Sequence, residues 1–89
     1  MSGEVLHVDS FGNITLSITE GDAILEGLMT VRIGQKSYCA ERTGTYEEGS
    51  GGISIIAGSS GFYELAVKNG SAQAMTGAKV GDRCTIAKG

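Results

Sequence analysis

The side chains able to do chemistry in this chain are few and scattered. His7 is the only histidine, and in a strand-like run beside Leu6 and Val8 it most simply faces water, with nothing near it in sequence that marks a general base. Serine is plentiful, yet no Gly-x-Ser-x-Gly elbow occurs. Gly58-Ser59-Ser60-Gly61 has neither the spacing nor the strand-to-helix context of one. Asp9, Asp22 and Asp82 stand singly at turn-like positions, where aspartate favours the local backbone, and Glu47 and Glu48 are neighbours in a polar stretch; none forms a recognisable catalytic pair. Cys39 and Cys84 are the only cysteines, without Cys-x-x-Cys spacing, so Cys and His alone assemble no zinc site. Both sit in strand-like runs, where a buried free thiol acts as a small apolar residue. Gly49-Ser50-Gly51-Gly52 and Gly58–Gly61 are not followed by Lys-Ser/Thr and do not lead a strand into a long helix, which excludes a phosphate loop. The residues therefore support neither a catalytic group nor a metal set. What they do offer is binding chemistry, in two strings: Asp9-Ser10-Phe11-Gly12-Asn13-Ile14-Thr15 and Ser59-Ser60-Gly61-Phe62-Tyr63-Glu64-Leu65-Ala66-Val67. Each sets a backbone-permissive turn against a strand-like run. Glycine there allows close approach of a flat ligand, provided aromatic and amide groups converge on it.

The elements that must carry these strings read as strands. Ile14, Leu16 and Ile18 alternate with Thr15, Ser17 and Thr19, and Leu6 and Val8 alternate with Val5, His7 and Asp9 ahead of the turn, which predicts a first hairpin. Met29, Val31 and Ile33 alternate with Thr30 and Arg32. Gly34-Gln35-Lys36 supplies turn residues, and Ser37 to Arg42 returns with Tyr38 and Ala40 on one face. Residues 43–52 are too polar and glycine-rich to pack and read as a surface loop carrying Tyr46. Ile53 to Ala57 and Tyr63 to Val67 are two further strands. Ser71 reads as a helix cap ahead of Ala72 to Thr76, with Gly77 as its stop, and Arg83 to Ala87 is the last strand. Glu20 to Gly27 fits either a helical turn or a crossover covering a barrel end. About seven short strands with one short helix point to an all-β fold, a small antiparallel β-barrel formed by residues 1–89 as a single domain.

Composition narrows the function classes. A chain of 89 residues buries only about 60% of its unfolded surface or slightly more, which leaves little room for an enclosed active site beside a core. Lys and Arg total 7 against 10 Asp and Glu, a formal net charge of −3, with no positive block. That argues against a nucleic-acid or anionic-membrane surface, which needs clustered positive charge. The N-terminus has no signal-peptide pattern, and the apolar runs are too short to span a bilayer, so the expected setting is cytoplasmic. Asn13-Ile14-Thr15 and Asn69-Gly70-Ser71 fit the glycosylation sequon, chance matches in that setting.

In order and spacing, the two strings resemble the C-terminal domain of the S-adenosylmethionine hydroxide adenosyltransferases, relatives of the fluorinating and chlorinating enzymes. The first is similar to that family's Asp-x-Phe-Gly-Asn turn and the second to its Ser-x-Gly-x-x-Glu-(Ile/Leu)-Ala-Val segment. The resemblance runs from Gly3 to Ile86. It implies that Phe11 packs on an adenine ring, that the Asn13 amide bonds its polar edge, and that Tyr46 packs on the other face. It also implies that Ser59 and Ser60 lie beside the adenosyl pocket and that backbone near Lys68, Asn69 and Gly70 closes it. An amide suits the amino and ring-nitrogen edge of adenine, making two bonds. Singly, Phe11 also fits core packing, Asn13 a turn after glycine, and Tyr46 a cover over a barrel end. The family commonly has Asn where Ser17 stands, and the halogenating branch has arginines at the positions of Ser60 and Val67, so the resemblance favours the hydrolase branch.

The family reaction takes S-adenosylmethionine and water to adenosine and methionine with no further cofactor. Its catalytic groups belong to a larger N-terminal domain, which meets the small barrel of a neighbouring subunit in a trimer. The resemblance thus implies an adenosyl-binding barrel that does not catalyse alone, whose partners are S-adenosylmethionine or adenosine, an N-terminal catalytic domain and further copies of itself. Whether the chain counts as an enzyme is left open by its residues. The alternative is a small all-β protein-interaction module without a nucleoside ligand, which the aromatics Phe11, Tyr46 and Phe62 on one exposed patch would also suit. The two readings part on whether Asn13 faces an aromatic-lined slot or open solvent.

Overall fold

The computed structural model describes residues 1–44 and 52–89. Where apolar side chains recur at every second residue, the chain forms strands: β1 (Ser2–Val8), β2 (Ile14–Thr19), β3 (Leu28–Ile33), β4 (Lys36–Arg42), β5 (Ile53–Ala57), β6 (Phe62–Val67) and β7 (Arg83–Lys88). One helix, α1 (Ala72–Thr76), separates β6 from β7. The strands close into a barrel in the order β1-β2-β6-β5-β4-β3-β7. This is the small all-β barrel with one short helix that the sequence patterning predicts.

A ring of strands can alternate in direction all the way round only if their number is even. With seven strands, one neighbouring pair must be parallel. It is β4–β5, with Ala40 opposite Ile53 and Arg42 opposite Ile55; the other pairs are antiparallel. A parallel pair needs a connection long enough to bring the chain back to its starting end. Residues 43–52 supply about ten residues, a reach of roughly 33 Å when extended.

Ile14, Leu16, Val31, Ile55 and Leu65 are fully buried along the inner faces. Each such side chain contributes about 1.5–3 kcal/mol by its removal from water. Simple alternation fails in β1. It groups Leu6 with Val8 against Val5, whereas Val5 lies in the core and Leu6 is 40% exposed. The cause is an irregularity between Val5 and His7 in the pairing with β2, because a bulge breaks the two-residue period. His7 is exposed, as expected. The cysteines also divide. Cys84 is buried, and desolvation pushes its thiol up to about 11. Cys39, expected to be buried, is exposed, because Ala40 takes the inward position on β4 and leaves its neighbour outside.

The barrel has two unlike ends. At one end, β6 leads through α1 into β7. Ser71 Oγ accepts from Ala74 N at 3.0 Å at the start of the helix. Gly77, at φ 70°, ends it in the left-handed region, its N–H donating to Gln73 O. A helix this short is not stable alone; it is held by buried Ala72 and by Tyr38 Oη, which donates to Thr76 O at 3.4 Å. At the other end, residues 20–27 form a crossover with no helix. The hydroxyl of buried Tyr63 donates to Ala23 O at 2.8 Å and accepts from Leu25 N at 3.3 Å. The Arg42 guanidinium carbon lies 5.6 Å from the centre of the Tyr63 ring, and Arg42 N donates to Gly27 O at 2.9 Å. The crossover is thereby fastened across that end.

Candidate functional site

The turn between β1 and β2 is organised by one carboxylate. Asp9 Oδ1 accepts from the backbone N–H groups of Phe11 and Asn13, both at 2.9 Å. Asp9 N donates to Asn13 O, and Gly12 N donates to Asp9 O, both at 3.0 Å. Aspartate favours such turns because its short side chain can replace a backbone acceptor. The partial burial of Asp9 works against its charge. The backbone N–H groups of Asn13 and Phe11, the Asn13 amide and nearby His7 outweigh that burial and hold the carboxyl below its ordinary value.

Glycine is required at position 12 for two reasons. Its φ of +85° is in the left-handed region, and a Cβ there would lie 1.9 Å from Ser71 Oγ. The contact brings the turn against the start of α1, and Gln73 N donates to Gly12 O at 2.9 Å. On the facing side, β6 ends at Val67 and the chain turns through Asn69, whose φ of 56° is the only positive value at a non-glycine residue among those described. Gly70 N donates back to Val67 O at 3.2 Å.

Between these two turns lies a cleft of about 320 Å³ lined by Phe11, Asn13, Val67, Asn69 and Gly70, near the lower end of the size of small-molecule sites. The Phe11 ring is 78% exposed and offers a flat apolar face at its lip. Val67 adds an apolar wall. Asn13 is half-buried, and its Nδ2 donates to Asp9 Oδ2 at 3.2 Å. An ionised carboxylate accepts only, so the nitrogen of the amide must be the atom turned toward Asp9. With Nδ2 bonded to Asp9, the amide keeps Oδ1 and its second N–H for a further partner in a fixed order, on a residue that lines the cleft. An adjacent acceptor and donor of this kind match a ring edge that carries an amino group beside a ring nitrogen, while Phe11 can stack on the ring face.

Three of the expected site residues, Phe11, Asn13 and Asn69, thus line one cleft. Lys68 is exposed between Val67 and Asn69 and does not line it. Ser59 and Ser60 are exposed in the turn between β5 and β6, where Gly61 O accepts from Glu20 N at 3.0 Å. That turn is at the far end of β6, roughly 20 Å from Asn69 at about 3.3 Å per residue, so no single purine ring touches both places. Tyr46, with Glu47 and Glu48, lies outside the described residues. The sequence pattern marks Asp9 only as a turn former and does not show that it orients the Asn13 amide. The signal available was an aspartate four residues before an asparagine across a glycine turn. Asn13 is half-buried and lines this cleft together with the exposed Phe11. Among the described residues, no group of three His, Cys, Asp or Glu could hold a metal ion, and no helix is long and apolar enough to cross a membrane.

Residues 3–85 match the family described as the SAM hydroxide adenosyltransferase C-terminal domain. Among solved structures, the chain is similar to an uncharacterized conserved protein from Thermotoga maritima, with 29% identity and a TM-score of 0.88 over 97% of this chain and 35% of that one. It is also similar to a conserved hypothetical protein from Thermus thermophilus, with 30% identity and a TM-score of 0.73 over 96% of this chain and 34% of that one. The chain thus spans about a third of the length of each. No curated protein matches it.

Proposed function

Since this chain belongs to the SAM hydroxide adenosyltransferase C-terminal domain family, we propose that it binds the adenine of an adenosyl ligand in the Phe11–Asn13–Asn69 cleft and does not catalyse alone. The observation that carries this reading is that Asn13, its amide held by Asp9, lines a cleft whose lip is the Phe11 ring. Phe11 stacks on the base, Asn13 bonds its amino edge, and backbone near Asn69 and Gly70 closes the far side. Ser59 and Ser60 contact the part of an extended ligand that lies furthest from adenine.

The full reaction needs an N-terminal domain from a neighbouring subunit of a trimer, working in the cytoplasm with S-adenosylmethionine as substrate and no other cofactor. Water attacks the ribose C5′: a C5′–O bond forms, the C5′–S bond breaks, and its electron pair neutralises the sulfonium as a proton leaves the water. The products are adenosine and methionine. Because charge is lost at sulfur, the main needs are positioning and the exclusion of bulk water. The barrel's part is to fix the adenine end so that C5′ is presented to the partner domain.

Calorimetric titration of the 89-residue chain with adenosine and with S-adenosylmethionine tests this reading. The expected result is binding of both ligands, weakened about tenfold or more in Asn13→Ala by loss of two hydrogen bonds, with no methionine released. Absence of binding, or binding indifferent to Asn13→Ala, would overturn it.

A further inference from the structure

We infer that Asp9 is a specificity-determining residue: by accepting from Asn13 Nδ2 it locks the side-chain amide in the orientation that selects a 6-amino purine over a 6-oxo purine. The inference rests on the adenine reading above and adds to it a cause for base choice. A free asparagine discriminates poorly between the two, because a half-turn about its terminal torsion exchanges oxygen and nitrogen and lets it accept from an amino group or donate to a carbonyl. Asn13 cannot make that exchange freely. Its Nδ2 lies 3.2 Å from Asp9 Oδ2, and a half-turn would put Oδ1 there, acceptor against acceptor.

Asp9 is itself tied down: its other oxygen accepts at 2.9 Å from the backbone N–H groups of Phe11 and Asn13. Among the described residues, Asp9 is the only hydrogen-bond partner of the Asn13 side-chain amide. Held in this way, Oδ1 accepts from the exocyclic amino group of adenine and the second N–H donates to the adjoining ring nitrogen. A 6-oxo purine would set its carbonyl oxygen against Oδ1 and lose a bond as well.

Asp9→Asn makes the test sharp. The new amide can keep its oxygen on the two backbone N–H groups and turn its nitrogen toward Asn13, where a donor now favours Oδ1. The Asn13 amide should then reverse. The experiment titrates adenosine and inosine into the 89-residue chain, Asp9→Asn, Asp9→Ser and Asn13→Ala, with circular dichroism to check folding. Asp9→Ser keeps one oxygen for the turn and removes the second.

The unmodified chain is expected to prefer adenosine by about tenfold or more, the order of discrimination a bidentate amide provides. In Asp9→Asn the ratio should fall to about one or invert, in Asp9→Ser it should fall toward one, and Asn13→Ala should bind both ligands weakly without preference. A role confined to holding the turn would weaken both ligands alike and leave the ratio unchanged. If adenosine binds and depends on Asn13, yet the ratio is unchanged in the folded Asp9 variants, the lock is overturned while the adenine reading stands. Equal binding of the two nucleosides by the unmodified chain has the same meaning. If adenosine does not bind at all, both fall.

Discussion

At the crossover end of the barrel, every polar group that Tyr63 reaches is satisfied inside the fold: its hydroxyl bridges Ala23 O and Leu25 N while its ring is buried. At the helix end, Asp9 and Ser71 also satisfy the backbone, but the Asn13 amide is only half used and the Phe11 ring is left 78% exposed. The crossover end spends its hydrogen bonds on closure. The helix end spends its hydrogen bonds on fixing the Asp9 turn and the start of α1, and leaves the Phe11 ring exposed. Local order and free bonding capacity coexist there because a charged turn residue, rather than the site residue itself, does the holding.

This contrast can be broken from either side. Tyr63→Ala should be the most damaging change, costing about 3–5 kcal/mol for a buried aromatic and leaving Ala23 O and Leu25 N without their side-chain partner. Urea unfolding would measure it. Tyr63→Phe should cost less and leave adenosine affinity unaltered; a matching loss of affinity would mean that the two ends are not independent.

Gly12→Ala should come next, at about 1–3 kcal/mol, since it combines a φ of +85° with a Cβ driven into Ser71 Oγ. Unlike the tyrosine variant with its hydroxyl removed, it should also abolish adenosine binding. Ser71→Ala removes the helix cap and should cost about 1 kcal/mol, with a modest loss of affinity because Gly12 packs on the same residue.

A smaller effect follows from the lowered pKa of Asp9. Its ionised form is favoured in the folded chain, so this contribution is present in full above the ordinary carboxylate pKa of about 4. It is lost as pH falls through the lower folded value. Acid unfolding of Asp9→Asn should be correspondingly less steep than that of the unmodified chain. Least disruptive is thiol labelling: Cys39 should react quickly in the folded chain, while buried Cys84, with its thiol pushed up to about 11, should react only on unfolding.

Much of this architecture is legible in the residues. Ile14, Leu16 and Ile18 mark β2 by alternation, and Ser71 and Gly77 mark both ends of α1 through the chemistry of caps. These signals are local, and local physics decides them. What escaped depends on pairing between distant segments. The irregularity that turns Leu6 outward is a property of the β1–β2 register, and the parallel β4–β5 pair follows from closing an odd number of strands. In the site, Phe11 and Asn13 come from the first string, and Asn69, which the resemblance implies, lies two residues beyond the second; the fold brings the three together. Ser59 and Ser60 belong to the second string, but a strand carries its two termini to opposite ends of a barrel, a separation that linear proximity hides. Asp9 was visible as a turn residue; its hold on Asn13 needed the second carboxylate oxygen to be located.

The most direct test of the contrast between the two ends is an adenosine titration of the ¹⁵N-labelled chain followed residue by residue by NMR. The account predicts shifts concentrated at Phe11, Asn13, Asn69 and Gly70, including the Asn13 side-chain amide, with Gly58 to Gly61 and Tyr63 unmoved. Shifts centred on the crossover end, or none at saturating adenosine, would contradict it.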